Sequence, residues 1–196
     1  FTKQLELALL ENRIDLAVHS LKDLPTEQPR NLEIGAITRR VATEDWLLIH
    51  PDAFDLSQPL FLKQGAHVGT SSLRREAQLL SSRGDLRITP IRGNVPTRVQ
   101  AVREKKVDAT LLAAAGLERL QLNLDGVSVE KLSERDFPPA PGQGALAIEI
   151  RSDAPMDLKM GLKKIHDENS EVETRIERKV LKGLFGGCTL PLGIRC

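Results

Sequence analysis

The sequence predicts an α/β fold made of two lobes, and three observations carry this prediction. Strand-like and helix-like segments alternate between residues 66 and 122, a rhythm typical of parallel-rich mixed sheets with right-handed crossover helices. Breaks rich in Pro and Gly near Thr43 and Pro138 indicate that the chain leaves a first lobe, forms a second one and returns. A further segment starts near residue 167. We therefore expect a first lobe over 1–42 and 140–166, a second lobe inserted over 43–139, and the start of a third domain over 167–196.

The first lobe begins with a helical pattern over residues 2–12, where leucines and an alanine recur on one face. A nearly continuous apolar run over 14–19 predicts a buried strand. Pro25 ends regular structure soon afterwards. The charged pair Lys22 and Asp23 therefore sits at the exit of a predicted strand.

The remaining elements follow from hydrophobic periodicity and from turn residues. Predicted strands cover 32–38, 46–50, 67–70, 87–93, 108–114, 127–129 and 145–150. Predicted helices cover 71–82, 94–106, 116–122, 155–166 and 169–184.

Composition excludes several classes of protein. No apolar run reaches membrane-spanning length, and the scarcity of aromatic residues, with no Tyr and one Trp, argues against a nucleic-acid groove that stacks bases. The two cysteines give neither a disulfide framework nor a metal-ligand spacing, and the four histidines show no ligand spacing either. We therefore expect a cytoplasmic protein without metal, nucleic-acid or membrane partners, with an organellar location as the alternative. We also expect a monomer.

Positive charge is concentrated in one region of a nearly neutral chain. Residues 66–106 hold nine Lys/Arg against three Asp/Glu, whereas residues 1–65 hold seven against ten. Such a local excess in a chain of net charge +1 favours an anionic ligand over general polyanion binding.

Two predicted helix starts carry arginines where cations are unfavourable. An arginine in a first helical turn faces the positive end of the helix dipole, at a cost of ~0.3–1 kcal/mol. A bound anion would reverse that cost, because backbone N–H groups, hydroxyls and guanidiniums would all face it. Taken one at a time, these arginines are also explained as solvated surface charges, and phosphate is disfavoured because no GxxxxGK[ST] or GxGxxG motif is present. Together they favour a polycarboxylate site, for which the candidates are Thr70, Ser72, Arg74, Arg75, Arg92, Asn94, Arg98 and Arg119.

Two other residues are candidates for chemistry. Asp23, at a strand exit, would stabilise a developing cation or accept hydrogen bonds from N–H donors; alternatively it pairs with Lys22 or caps the next turn. Gln143 is a neutral polar candidate near the same edge. Cys188 follows two glycines, which leave room for a large group at the sulfur. Alternatively, this stretch is a helix C-cap with a half-buried small residue.

Six motifs in order resemble those of the porphobilinogen deaminase (hydroxymethylbilane synthase) family. They are VHSLKDLP (18–25), GTSSLRR (69–75), IRGNVPTR (91–98), AAAGLERL (113–120), PGQGALAIE (141–149) and GGCTLPLG (186–193).

The resemblance implies two lobes like those of type II periplasmic binding proteins and a small α+β third domain. It also implies a dipyrromethane cofactor held through a thioether by Cys188. Four porphobilinogen molecules are added to that cofactor stepwise with release of ammonia, giving hydroxymethylbilane for porphyrin biosynthesis. By motif, Asp23 corresponds to the catalytic carboxylate. The residues that correspond to carboxylate-binding and cofactor-contacting positions are Ser20, Lys22, Thr70, Ser72, Arg74, Arg75, Arg92, Arg98 and Arg119.

Two departures from the family pattern lead to further expectations. A GTRxSxLA-type segment, which in the family precedes the counterpart of Phe1, is absent here, and little of the third domain follows Arg195. We therefore expect an incomplete chain that is inactive alone. The alternative function is a two-lobed, non-enzymatic binding module for a small organic polyanion, which would leave Cys188 without a role.

Overall fold

The computed structural model describes residues 2–184 and 191–196 of the chain. The helices are α1 (Thr2–Leu10), α2 (Leu73–Ser82), α3 (Val95–Arg103), α4 (Ala114–Leu120), α5 (Met156–Lys163) and α6 (Glu168–Gly183). The strands are β1 (Leu16–Ser20), β2 (Leu32–Ile37), β3 (Asp45–Ile49), β4 (His67–Gly69), β5 (Arg87–Thr89), β6 (Ala109–Ala113), β7 (Ser128–Lys131) and β8 (Leu146–Arg151). Most of these bounds agree with the predicted elements to within a few residues.

The chain divides into two compact units. The first takes in the residues up to Val41, those from Ala140 through α6, and Ile194–Cys196, and the second takes in Ala42–Pro139 and Pro191–Gly193. The predicted domain limits, including a third domain from residue 167, stay predictions.

The first unit is built on a three-stranded sheet in the order β1-β8-β2. Both strand pairings are antiparallel. One face of β8 packs with α5 through Ile148, Ile150 and Leu162, and α1 covers part of the sheet through Leu9, which packs on Ala17. Helix and strand therefore form two layers around small apolar clusters.

The strand β1 differs from the prediction of a wholly buried strand. Its residues alternate between exposed and buried positions, and the Val18 side chain is 53% exposed. A short apolar run does not reveal which of its faces is covered, and here only the face bearing Ala17 and His19 is buried.

The second unit contains a five-stranded mixed sheet in the order β5-β4-β6-β3-β7. The strands β4, β5 and β6 pair in parallel, as the alternation of strands and helices predicts, whereas β3 runs antiparallel to β6 and β7. One core cluster contains Leu47, Val68 and Leu111, and another forms where Leu48 meets Val99 and Leu117 of α3 and α4. The predicted α/β class is confirmed, with parallel pairing in the described residues confined to this unit.

Two other kinds of feature are absent from residues 2–184 and 191–196. No helix there combines the length and apolar character that a bilayer crossing needs. No group of three or more His, Cys, Asp or Glu residues there has the arrangement of a metal site.

Candidate functional site

In the first unit, Asp23 lies at the end of a short 3₁₀ helix, Leu21–Asp23, that directly follows β1. Leu21 and Leu24 are almost completely buried, so the backbone on both sides of Asp23 is anchored in the core. Asp23 itself is exposed, and no ion pair with Lys22 is found among the described residues. Because burying an unpaired charge is costly, an unpaired carboxylate on a well-anchored loop has to remain at the surface.

The turn that carries Gln143 packs against this loop. Gly142 has φ +78°, and a Cβ there would lie 3.0 Å from Leu21 Cγ, so glycine suits both the backbone conformation and the close approach. Gln143 is 1% exposed, and its Oε1 accepts a hydrogen bond from Lys22 Nζ at 3.4 Å. The structure thus brings Gln143 into contact with Lys22, the residue that precedes Asp23. Ser20 ends β1 and is exposed.

A buried pair, His19 and Glu149, lies at the end of β1 and was not anticipated from the sequence. His19 Nε2 is 3.0 Å from Glu149 Oε2, and Glu149 Oε1 is buried without a hydrogen-bond partner among the described residues. Burial raises the pKa of Glu149, although His19 acts in the opposite direction. No motif reasoning assigned a role to Glu149, although a Glu inside the apolar strand 145–150 was a visible signal.

In the second unit, the start of α2 is arranged by hydroxyl side chains. Ser72 is the N-cap residue and its Oγ accepts from the Arg75 backbone N–H at 3.5 Å. Thr70 is buried, and its Oγ1 accepts from Ser72 N at 3.2 Å. These contacts satisfy N–H groups at the helix start, as expected for Ser and Thr at this position.

Arg74 and Arg75 are buried against Asp45, the first residue of β3. Arg75 donates through Nε and NH2 to the two carboxylate oxygens of Asp45, at 3.1 and 2.7 Å. Arg74 NH2 donates to Asp45 Oδ2 at 2.8 Å. Arg75 NH1 donates to Leu111 O, and Arg74 NH1 donates to Pro138 O and to Gln78 Oε1.

The electrostatics of this cluster are dominated by its burial. Burial alone would raise the pKa of Asp45, but Arg75 and Arg74 outweigh it and hold that pKa well below its ordinary value. Burial also lowers the pKa of Arg74. One carboxylate faces two guanidiniums, so the three side chains together carry excess positive charge. Asp45 was missed from the sequence because it precedes an apolar run and its partners are about thirty residues away.

The start of α3 carries the other predicted cations. Asn94 is its N-cap residue, and Asn94 Oδ1 accepts from Thr97 N at 3.0 Å. Arg98 Nε donates to Gly93 O at 2.9 Å, and the Arg98 pKa is lowered by partial burial and by the charge of Arg75. Arg92 is exposed. The structure therefore brings Arg98 into the electric field of the Arg75 cluster.

Two further predicted site residues are Arg119 and Cys188. Arg119 lies on α4 with an exposed side chain. A cavity of about 770 Å³ beside α3 is lined by Arg92 but not by Arg74, Arg75 or Arg98, so we do not assign it to the predicted site. Cys188 lies outside the described residues, and its predicted role stays a prediction.

The donors in the second unit suit a ligand with several carboxylates. Guanidiniums bind carboxylates through paired hydrogen bonds, and the Asp45 cluster keeps excess positive charge after its internal pairing. The residues present therefore fit a dipyrromethane, a group that carries carboxylate side chains on its pyrrole rings. The fold is that of an α/β protein, and its second unit holds a cationic cluster whose chemistry suits organic carboxylates.

Comparison with known proteins agrees with this class and narrows it. The model of the family described as porphobilinogen deaminase, dipyrromethane cofactor binding domain, matches residues 1–158. A porphobilinogen deaminase from a Nitratiruptor species is 46% identical over 195 residues, covering 100% of this chain and 60% of its own length. One from Deinococcus deserti is 45% identical over 195 residues, covering 98% of this chain and 61% of its own length.

This chain belongs to the porphobilinogen deaminase family, and it spans about 60% of the length of these relatives. Among solved structures, the effector-binding domain of a BenM variant is similar, with a TM-score of 0.50 and 15% identity over 93% of this chain and 79% of that one. That likeness concerns the fold alone.

Proposed function

We propose that this chain provides the catalytic carboxylate and most carboxylate-binding residues of a porphobilinogen deaminase. The reaction joins four porphobilinogen molecules head to tail on a dipyrromethane and releases ammonia at each addition. Water then cleaves the bond between the dipyrromethane and the new tetrapyrrole and supplies the hydroxyl of hydroxymethylbilane. The observation that carries the proposal is the exposed carboxylate of Asp23 on a loop whose neighbours Leu21 and Leu24 are buried.

The binding role falls to the cationic and polar side chains of the two helix starts and of the two loops in the first unit. Each guanidinium–carboxylate contact contributes roughly 1.5–3 kcal/mol where it is well formed, so several contacts are needed to hold a growing chain of carboxylated pyrroles. The residues proposed for this role are Ser20, Lys22, Thr70, Ser72, Arg74, Arg75, Arg92, Asn94, Arg98, Arg119 and Gln143.

Cys188 is proposed to hold the dipyrromethane through a thioether. A thiol with an ordinary pKa of about 8.5 is mostly protonated near neutrality, which suffices for a bond that forms only once. When bound, the dipyrromethane supplies the pyrrole carbon to which the first porphobilinogen is joined.

The proposed chemistry of Asp23 concerns the porphobilinogen substrate. The aminomethyl C–N bond breaks and ammonia leaves with the electron pair, so the methylene carbon becomes electron-poor and the pyrrole N–H becomes cationic. A fixed carboxylate stabilises that charge electrostatically. The same carboxylate can accept and return a proton during coupling, a contribution of about 10²–10⁴-fold for a well-placed group.

The proposed cellular setting is the cytoplasm, with the protein acting as a monomer. The support for a reducing compartment is the cysteine content, two in 196 residues.

The first test is chemical and uses the protein expressed as its gene encodes it. We expect its intact mass to exceed the sequence mass by one dipyrromethane, and Cys188→Ser to remove the excess. An acidic aldehyde reagent for pyrroles should give colour with the wild type only. An unmodified Cys188 in active protein would refute the proposed attachment, and absence of any pyrrole would favour the non-enzymatic binding module.

The second test concerns Asp23. We expect Asp23→Asn to lower turnover of porphobilinogen by about 100-fold or more. Asp153→Asn is the matched control. Asp153 lies in the same unit, its side chain is 90% exposed, and its ion pair with Arg151 is long, at 3.8 Å. Equal turnover in the two variants would show that the Asp23 carboxylate is not catalytic.

A further inference from the structure

Arg178 of α6 reaches the loop that carries Lys22 and Asp23. Its NH1 donates to Leu21 O at 3.3 Å and to Leu24 O at 3.0 Å, and its NH2 donates to Pro25 O at 2.6 Å. Leu21 O also accepts the 3₁₀ hydrogen bond from Leu24 N at 3.2 Å, whereas Leu24 O and Pro25 O follow the 3₁₀ helix, where main-chain carbonyls have no partner within it. A planar guanidinium offers several donors in a fixed geometry, so one side chain fixes three points of this loop.

The preceding residue of α6, Glu177, reaches the turn that carries Gln143. Glu177 is fully buried, and its Oε2 accepts from Gly142 N at 2.8 Å. Both Glu177 oxygens also accept from Arg40, at 2.8 and 3.0 Å. Arg40 Nε in turn donates to Gln143 O at 2.8 Å. One buried ion pair therefore holds the turn at two main-chain atoms, Gly142 N and Gln143 O.

Consecutive residues of one helix thus anchor two separate loops of the first unit. The contacts go to main-chain atoms of these loops and leave the Asp23 carboxylate exposed. In the sequence, α6 is also the last described element before Cys188. An anchor that touches the backbone but not the reactive atoms acts by position, and small displacements of a catalytic group are costly, of the order of 10²-fold for about 1 Å.

We propose that Glu177 and Arg178 are positioning residues, which hold the loop of Asp23 and the turn of Gln143 at fixed places on the helix that precedes Cys188. This inference rests on the proposed function, since it assigns Asp23 to the reaction. It gives α6 a role that the helix would not need if it were only a connection between segments of chain.

The test compares three variants of the protein expressed as its gene encodes it. Arg178→Ala removes the three carbonyl contacts. Arg178→Lys keeps the charge and one donor group but loses the planar fork. Arg175→Ala is the matched control, because Arg175 lies one turn earlier on α6 and its ion pair, with Glu171 at 3.9 Å, stays within the helix.

Two readouts separate positioning from a merely structural contribution. We expect Arg178→Ala to lower kcat about tenfold or more, with KM for porphobilinogen changed less than about twofold. Amide hydrogen exchange in residues 20–26 should become faster in the same variant. Arg178→Lys should show a smaller loss of kcat and a smaller increase in exchange, and it replaces Arg178→Ala in the comparison if that variant does not fold. Arg175→Ala should match the wild type in both readouts.

The outcomes distinguish this inference from the proposed function. If the wild type turns over porphobilinogen and the kcat and exchange of both Arg178 variants equal those of Arg175→Ala, positioning by Arg178 is refuted and the proposed function stands. If the wild type releases no ammonia from porphobilinogen, the proposed function is refuted. The positioning role of Glu177 and Arg178 in catalysis is then refuted as well. Faster exchange at 20–26 with unchanged kcat would show that the contacts are structural only.

Discussion

Two aspartates of this chain, Asp23 in the first unit and Asp45 in the second, have opposite surroundings. Asp23 is exposed at the end of the short 3₁₀ helix that follows β1 and has no ion pair among the described residues. Asp45 is fully buried and bound by two arginines. A buried charge has to be paired to be tolerated, whereas an exposed one needs no partner and can interact with a ligand. The Asp45 carboxylate therefore organises neighbouring arginines, whereas the Asp23 carboxylate is available to a ligand.

The largest effect is expected on removing the charge of Asp45. Asp45→Asn leaves two buried guanidiniums uncompensated, and loss of one partner of a buried ion pair typically costs about 3–5 kcal/mol of unfolding free energy. Urea denaturation measures the loss.

Asp52→Asn is the matched control for this substitution. Asp52 pairs with Lys105 at 2.7 Å, but its side chain is 62% exposed, and exposed pairs contribute only ~0–1 kcal/mol. Equal losses of stability in the two variants would contradict the view of Asp45 as the organiser of Arg74 and Arg75.

The pH dependence of stability sharpens the same contrast. The folded-state pKa of Asp45 lies below its ordinary value of 3.8 because the two arginines outweigh burial. A carboxyl with a lowered pKa contributes stability above its unfolded-state pKa, and this contribution is lost as the pH falls through the folded-state pKa. We therefore expect the wild type to lose more stability than Asp45→Asn as the pH falls below about 4, measured by denaturation at a series of pH values. Parallel curves would mean that Asp45 does not titrate with folding.

A smaller effect is expected at the turn that supports Gln143. Gly142→Ala combines a positive φ with a Cβ 3.0 Å from Leu21 Cγ, and we expect a loss of about 2 kcal/mol or more from strain and contact together. Gly126→Ala is the control, because Gly126 has φ +81° and no atom within 4 Å of the added Cβ. Its loss should be about 1–2 kcal/mol, from backbone strain alone. Thermal unfolding compares the two, and an equal loss would show that the approach to Leu21 is not tight.

The sequence predicted the elements of this fold better than their surroundings. Helix α6 was expected over 169–184 and spans Glu168–Gly183, because periodicity and flanking residues act locally. Burial of β1 was overestimated, since an apolar run does not say which face is covered. The start of α2 was recognised from its hydroxyls and arginines, but Asp45, Glu177 and Arg178 were not, because their partners are distant in the sequence. Sequence motifs identify candidate site residues, but only the structure shows which side chains from distant parts of the sequence fix the positions of those residues.

The smallest effect on stability is expected for the residue assigned to catalysis. Asp23 is exposed and unpaired among the described residues, so Asp23→Asn should change the free energy of unfolding by less than about 0.5 kcal/mol, as surface substitutions usually do. Urea denaturation of the same preparations used for kinetics checks this value. A large loss of turnover with unchanged stability is the signature of a group that acts on substrate. A loss of stability comparable to that of Asp45→Asn would instead place Asp23 among the organising carboxylates and remove the contrast between the two aspartates.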